Sequence, residues 1–210
     1  MAPRSYDSTL RLRRQAELTA RIAAAAVALH AEKGALATSY ADIARVAGVS
    51  LPTVHAHFPT QDDLMAGCTG HVAARAPVFP AEAILTAPDL ATALEALVCA
   101  LDQQHRHFEP WLVWRQERLV PFLAALSARG RAQRASFLAQ LLRKHLGAGD
   151  HREAVATCES ILSFDFWHRL VREHGLSRPA AQRAITRCLA AAIGGDAVAA
   201  VRPSSARTRR

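Results

Sequence analysis

Within residues 37–64, ATSYADIARVAGVSLPTVHAHFPTQDDL, hydroxyls and imidazoles recur at Thr38, Ser39, Ser50, Thr53, His55, His57 and Thr60. A hydroxyl can accept a backbone N–H at the open start of a helix or donate to a phosphate oxygen, and a protonated imidazole can do the latter. No histidine here has a local partner set that marks it as catalytic, and the chain contains no Gly-rich phosphate loop and no nucleophile elbow. His55 and His57 are two apart and so point to different sides of a helix, while His105 with His107 and His145 with His151 lack a metal-ligand spacing. The chemistry on offer is recognition of a polar or anionic partner.

The elements that must carry these groups are legible locally. Ser39 is an N-cap with Asp42 three positions on, and Tyr40, Ile43, Ala44 and Ala47 recur on one helical face. Gly48 follows as a helix end; Ser50 then caps a second helix with Pro52 in its first turn. Two short capped helices across a tight turn make a helix-turn-helix. In that motif the second helix enters the major groove, with Leu51, Pro52 and Thr53 toward the base edges.

From Arg21 to Leu64, RIAAAAVALHAEKG, TSYADIARVAGVS and PTVHAHFPTQDDL follow one another in the order and spacing of the TetR (tetracycline-repressor) family, and the chain resembles that family's N-terminal domain without a gap. The resemblance implies groove or backbone contact by Leu51, Pro52, Thr53, His55 and Ala56, with His57, Thr60 and Gln61 near phosphates; Arg13, Arg14, Arg21, Thr38, Ser39, Arg45 and Ser50 complete the expected DNA-binding set. Val49, Val54 and Phe58 are expected to lock the helices together. Three positions depart from the family pattern: His55 stands where tyrosine is usual, Ala56 where a larger polar residue is common, and Gln61 where a lysine often meets phosphate.

Charge sharpens the point. The net charge is +8, yet between Gly34 and Gly67 Arg45 is the only arginine or lysine, set against Asp42, Asp62 and Asp63. Cationic work therefore falls to Arg11, Arg13, Arg14, Arg21, Arg45 and any protonated fraction of His55 and His57, which predicts a shallow salt dependence of DNA binding. Leu51, Pro52 and Ala56 can touch a thymine methyl but cannot make bidentate bonds to a base, so DNA shape should carry part of the specificity. Arg202, Arg207, Arg209 and Arg210 form a basic tail, read chiefly as solvated.

Half of the 210 residues are hydrophobic, enough for a substantial core, and no apolar run approaches the roughly 20 residues that span a bilayer. The N-terminus lacks the apolar segment of a signal peptide, and the expected compartment is the bacterial cytoplasm, with nucleoid association when DNA-bound. Cys68, Cys99, Cys158 and Cys188 have no CxxC pairing and are expected as buried free thiols.

Apolar spacing of three and four throughout predicts an all-α fold. Charge and the prolines divide it into a basic arm over 1–16, a three-helix helix-turn-helix domain over 17–76, a second helical domain over 77–200, which the resemblance implies is for effector binding and dimerisation, and a basic tail over 201–210. The boundary is drawn at the prolines Pro77, Pro80 and Pro88. Helices are expected over 89–107, 110–128, 131–146, 151–173 and 179–193. The last two form a hairpin across Gly175 and Ser177. By resemblance, that hairpin supplies a dimer interface through Ile161, Phe164, Trp167, His168, Val171, Ile185 and Leu189, the alternative being that these residues pack within one subunit.

The family's second domain often holds a small effector. Phe108, Trp111, Trp114, Arg115, Arg118, Phe122 and Phe137 are the candidate lining, although aromatics at helical spacing also serve as ordinary core. The resulting expectation is a homodimeric, ligand-responsive transcriptional repressor on a palindromic DNA operator, with no cofactor, metal, membrane association or enzymatic activity. The alternatives are a ligand-independent regulator acting through a protein partner, and a helical carrier module without operator recognition.

Overall fold

The structure is a computed structural model that describes residues 5–200, with side-chain surroundings for residues 9–194. Arg4 and the basic tail over 201–210 lie outside the described residues. Every regular element described is helical, as expected: α1 (Ser5–Lys33), α2 (Tyr40–Ala47), α3 (Leu51–His57), α4 (Gln61–Ala73), α5 (Ala81–Leu85), α6 (Leu90–Leu112), a 3₁₀ turn (Gln116–Arg118), α7 (Pro121–Leu146), α8 (Arg152–Ile161), α9 (Phe164–His168), a π turn (Arg169–Glu173) and α10 (Arg178–Ala200). None of them is long and apolar enough to cross a membrane.

The chain divides into two compact units: the first comprises residues up to Ala76 with His107–Ser127, and the second Pro77–Arg106 with the chain from Ala128 onward. A boundary near residue 77 therefore describes only the first crossing, because 107–127 packs with the N-terminal helices.

In the first unit α1 is the spine. Its Ile22, Ala23, Ala26 and Leu29 meet Ile43 and Ala47 of α2, Val54 and Phe58 at α3, and Leu64, Met65 and Cys68 of α4. Local signals set the helix ends. Ser39 and Asp42 form a complete capping box, and Gly48 takes φ 65°, which a Cβ would oppose. Thr60 and Asp63 form a second capping box at α4. Residues 107–127 brace the far end of α1. The indole N–H groups of Trp111 and Trp114 donate to the carbonyls of Val27 at 2.9 Å and Ala31 at 3.2 Å, and Gln116 Oε1 accepts from Ala35 N at 2.7 Å.

In the second unit the core joins Leu94, Leu97, Val98 and Leu101 of α6, Leu138, Leu141 and Leu142 of α7, Cys158 of α8, Trp167 of α9, and Ile185, Leu189 and Ile193 of α10. One carboxylate lies inside it. Asp102 is 2% exposed, and it accepts from Trp167 Nε1 at 2.9 Å and from Arg178 Nη2 at 2.8 Å. Burial alone would raise the Asp102 carboxyl. The hydrogen bonds from Arg178 and Trp167 and the charges of Arg178 and Arg106 prevail and hold it below the ordinary range.

Several helix limits differ from the sequence expectation. α6 runs through Pro110 to Leu112, although the proline has no N–H to bond the carbonyl four residues back, and the expected 110–128 helix is instead broken where Arg115 takes φ 53°. α7 continues across Gly130, joining two expected helices. The expected 151–173 helix is interrupted at Ser163, whose hydroxyl accepts Phe166 N at 3.3 Å and starts α9 anew. Cys68 and Cys158 are buried, as expected, but Cys99 and Cys188 are exposed, since α6 and α10 turn their other faces to the core.

Candidate nucleic-acid interface

The surface of α3 separates cleanly by face. Val54 and Phe58 are buried, whereas Leu51, Pro52, His55 and Ala56 are exposed and Thr53 and His57 are half-buried. The helix therefore offers one continuous outward surface, mostly apolar, with a hydroxyl and two imidazoles.

Hydrogen bonding decides what that surface can donate. Ser50 Oγ accepts Thr53 N at 3.3 Å and lies 2.7 Å from Thr53 Oγ1. Two hydroxyl protons serve one mutual hydrogen bond, so one proton remains for an outside acceptor such as a phosphate oxygen. The neighbouring hydroxyls are committed: Thr38 donates to Gly34 O at 2.8 Å, Ser39 to Asp42 Oδ2 at 2.9 Å, and Thr60 to Asp63 Oδ2 at 2.7 Å. These three residues cap and close turns in this structure. Gln61, also expected near phosphate, is exposed in the first turn of α4.

The cations are distributed as the sequence suggested. Arg45 extends from α2 with its side chain 72% exposed, 3.5 Å from Asp42 Oδ1. Asp42 is shared with Lys33 Nζ at 2.8 Å, and the bonds from Lys33 and Ser39 hold its carboxyl well below the usual carboxylate range. Arg11, Arg13, Arg14 and Arg21 are exposed on α1, where the expected arm is helical from Ser5 and continuous with the core-bearing turns. Four of these five exposed arginines thus lie on α1, outside the helix-turn-helix segment in sequence.

Two residues that the sequence reading did not assign to the interface orient its imidazoles. The ring of Tyr40 stacks on His55 with centroids 4.6 Å apart and planes 12° from parallel, and its hydroxyl donates to Thr60 O at 2.8 Å. Burial, then the charge of Asp63, raises the Tyr40 phenol above its ordinary value, so it remains a donor. On the other side, Thr19 Oγ1 lies 2.8 Å from His57 Nδ1. Tyr40 was read only as a core-facing residue, and Thr19 carries no signal in sequence, because its partner is 38 residues away.

The candidate effector lining is not brought together inside either unit. Phe108, Trp111, Trp114, Arg115, Arg118 and Phe122 belong to the first, where the two indoles are bonded to α1. Phe137 belongs to the second and meets Phe79 edge-on at 5.3 Å. The candidate dimer residues divide as well. Trp167, Ile185 and Leu189 are fully used by their own unit's core at 1%, 4% and 0% exposure, so they offer nothing for a second copy to cover; Ile161, Phe164, His168 and Val171 are half-buried. Among the described residues no group of three His, Cys, Asp or Glu side chains is arranged to hold a metal.

Comparison with known proteins agrees with this geometry. Residues 22–68, from the first core turn of α1 into α4, match the sequence model for bacterial regulatory proteins of the tetR family. The fold is similar to the crystal structure of a transcriptional regulator from Rhodococcus sp. Rha1, with a TM-score of 0.62 at 20% identity over 84% of this chain and 96% of that one. No curated protein matches the chain at a significant level. The capped α2 and α3, the outward face of α3 and the matched segment agree on a helix-turn-helix DNA-binding domain of the tetR type within residues 22–68, which supports a transcriptional regulator of that family.

Proposed function

We propose that the protein is a repressor that binds a palindromic operator as a homodimer and leaves it when a small molecule binds. The observation that carries the reading is the solvent-facing row Leu51, Pro52, His55 and Ala56 on a helix whose opposite side, Val54 and Phe58, is fixed in the core. A rigid helix with a small, mostly apolar outer face can approach base edges closely and sense thymine methyl groups. Arg13, Arg14, Arg21 and Arg45 supply phosphate contact, and the spare hydroxyl proton of the Ser50 and Thr53 pair adds a neutral donor.

A two-fold dimer sets two such helices in major grooves about 34 to 36 Å apart, or a multiple of that. Half-buried Ile161, Phe164, His168 and Val171 support such pairing, being apolar or amphipathic surface that a second copy can cover. Release then requires only a coupling of about 1 to 3 kcal/mol between ligand and DNA, a 5- to 150-fold change in affinity.

The test is fluorescence anisotropy with a labelled duplex from the DNA upstream of the protein's own coding sequence, against an unrelated duplex, with sedimentation of the free protein and the complex. Selective binding at two subunits per site, or a multiple, is the expected result. Equal affinity for both duplexes at every salt concentration, or a monomer in the complex, overturns the proposal.

A further inference from the structure

The contact between Thr19 and His57 determines which imidazole nitrogen carries the proton. The Thr19 hydroxyl lies 2.9 Å from Gln15 O on its own helix and 2.8 Å from His57 Nδ1. A carbonyl can only accept, and a hydroxyl has one proton, so both contacts are satisfied only when Thr19 donates to Gln15 and Nδ1–H of His57 donates to Thr19. The neutral ring then bears its lone pair on Nε2. That atom has no hydrogen-bond partner among the described residues, and His57 is half-buried at the end of α3.

We infer that Thr19 is a positioning residue that makes His57 a proton-dependent phosphate contact. A neutral Nε2 lone pair facing a phosphate oxygen is repulsive, and the protonated ring presents N–H with a positive charge instead. DNA binding therefore takes up a proton at His57 in each subunit. The hydroxyls of Thr38, Ser39 and Thr60 are committed within the protein, and the spare proton of the Ser50 and Thr53 pair lies at the start of α3, not at its His57 end.

The charged surroundings on each neighbouring element are sparse. On α1 the residues one turn either side of Thr19 are Gln15, Ala16, Ile22 and Ala23, while Glu17 and Arg21 stand two positions from it and so on other sides of the helix. On α3 the other titratable group is His55, held against Tyr40. α4 opens with Asp62 and Asp63, the second engaged with Thr60, and the Asp42 of α2 is shared by Lys33 and Arg45.

This inference rests on the DNA-binding reading, and the experiment separates the two. Affinity for the upstream duplex and for an unrelated duplex is measured from pH 6 to 8 in wild type, His57→Gln, Thr19→Val and His55→Gln, with thermal melts confirming the fold. Proton uptake is read by calorimetry in two buffers of different ionisation enthalpy. Wild-type affinity should rise by up to about tenfold per unit as pH falls through the imidazole range. His57→Gln should abolish most of that slope. Thr19→Val should flatten it too, by improving binding at pH 8, since a ring freed from Thr19 can carry its neutral proton on Nε2.

A slope retained in His57→Gln, or lost only in His55→Gln, overturns the inference while leaving DNA binding intact. So does a neutral ring found mainly as the Nε2–H tautomer by ¹⁵N spectroscopy of the free protein, which needs no variant. Failure to bind either duplex at low salt overturns the DNA-binding reading, and this inference with it.

Discussion

Tyr40 and His55 lie face to face across α2 and α3, with ring centroids 4.6 Å apart and an interplanar angle of 12°. The stack joins a residue of the supporting helix to one on the outward face of the recognition helix, and the Tyr40 hydroxyl extends the link to Thr60 O, just before α4. His55 is consequently held in one orientation before any DNA arrives, which lowers the entropy lost on contact.

The stack should matter more to DNA affinity than the phenol hydroxyl does. Tyr40→Phe keeps the ring and should bind the preferred duplex within about twofold of wild type. Tyr40→Leu removes an aromatic pair worth about 0.5–1.5 kcal/mol, and should weaken selective binding about 2- to 12-fold with little change toward an unrelated duplex. Equal losses on both duplexes would mean that Tyr40 supports the fold of the domain rather than the aim of His55.

What could be read in the sequence, and what could not, follows from the range of the interactions. Ser39, Gly48, Ser50 and Pro52 act within four residues of themselves, so the ends of α2 and α3 were legible one residue at a time. The family resemblance extended this to which face of α3 turns outward. Thr19 with His57, and Trp111 with Val27, pair across 38 and 84 residues, and nothing local announces either. Trp111 and Trp114 show the same limit: helical spacing tells that two aromatics share a face but not which groups their indoles meet, here the carbonyls of Val27 and Ala31. The break at Ser163 was missed because a serine that caps a new helix looks, in sequence, like a serine inside a longer one.

Acid should destabilise both units before carboxylates titrate widely. His30 is 6% exposed in the first unit and His105 9% exposed in the second, and burial pushes each imidazole down to about 4 from 6.5. Between those values the unfolded chain binds protons that the folded chain refuses, so stability falls as pH drops from about 6.5 and the loss is complete below about 4. Each histidine can account for roughly 3 kcal/mol at most. Urea midpoints at pH 7, 5.5 and 4.5 should decline steadily, and His105→Gln should flatten the decline for the second unit. A midpoint constant from pH 7 to 4.5 would show that both rings are already accessible to protons.

Asp102 should be the least replaceable polar residue of the second unit. It is the acceptor shared by Trp167 of α9 and Arg178 at the start of α10, with Arg106 Nε at 3.4 Å. Asp102→Ala leaves the buried indole N–H without its acceptor, a loss of about 1–3 kcal/mol, while the Arg178 and Arg106 side chains, 47% and 40% exposed, turn to water. Asp102→Asn should cost less, because its amide oxygen can still serve Trp167. A denaturant series in which Asn and Ala are equally mild would show that the core closes over the site without this bond.

Two glycines of α4 should respond differently to the same substitution. A Cβ at Gly67 would fall 2.6 Å from Cε1 of Phe58, a ring 4% exposed and wedged between the end of α3 and α4, whereas at Gly70 nothing lies within 4 Å. Both positions are helical, so alanine brings each about 1 kcal/mol of helix propensity. At Gly70 that gain stands alone, and Gly70→Ala should stabilise the domain. At Gly67 the buried ring must move, and overpacking of this kind costs about 1–3 kcal/mol, so Gly67→Ala should be neutral to destabilising. The displaced ring belongs to the residue that ends the recognition helix, so Gly67→Ala should also lower DNA affinity while Gly70→Ala leaves it unchanged. Equal stabilisation by the two substitutions would show that Phe58 can swing aside freely, and that α3 is not clamped by the core at its C-terminal end.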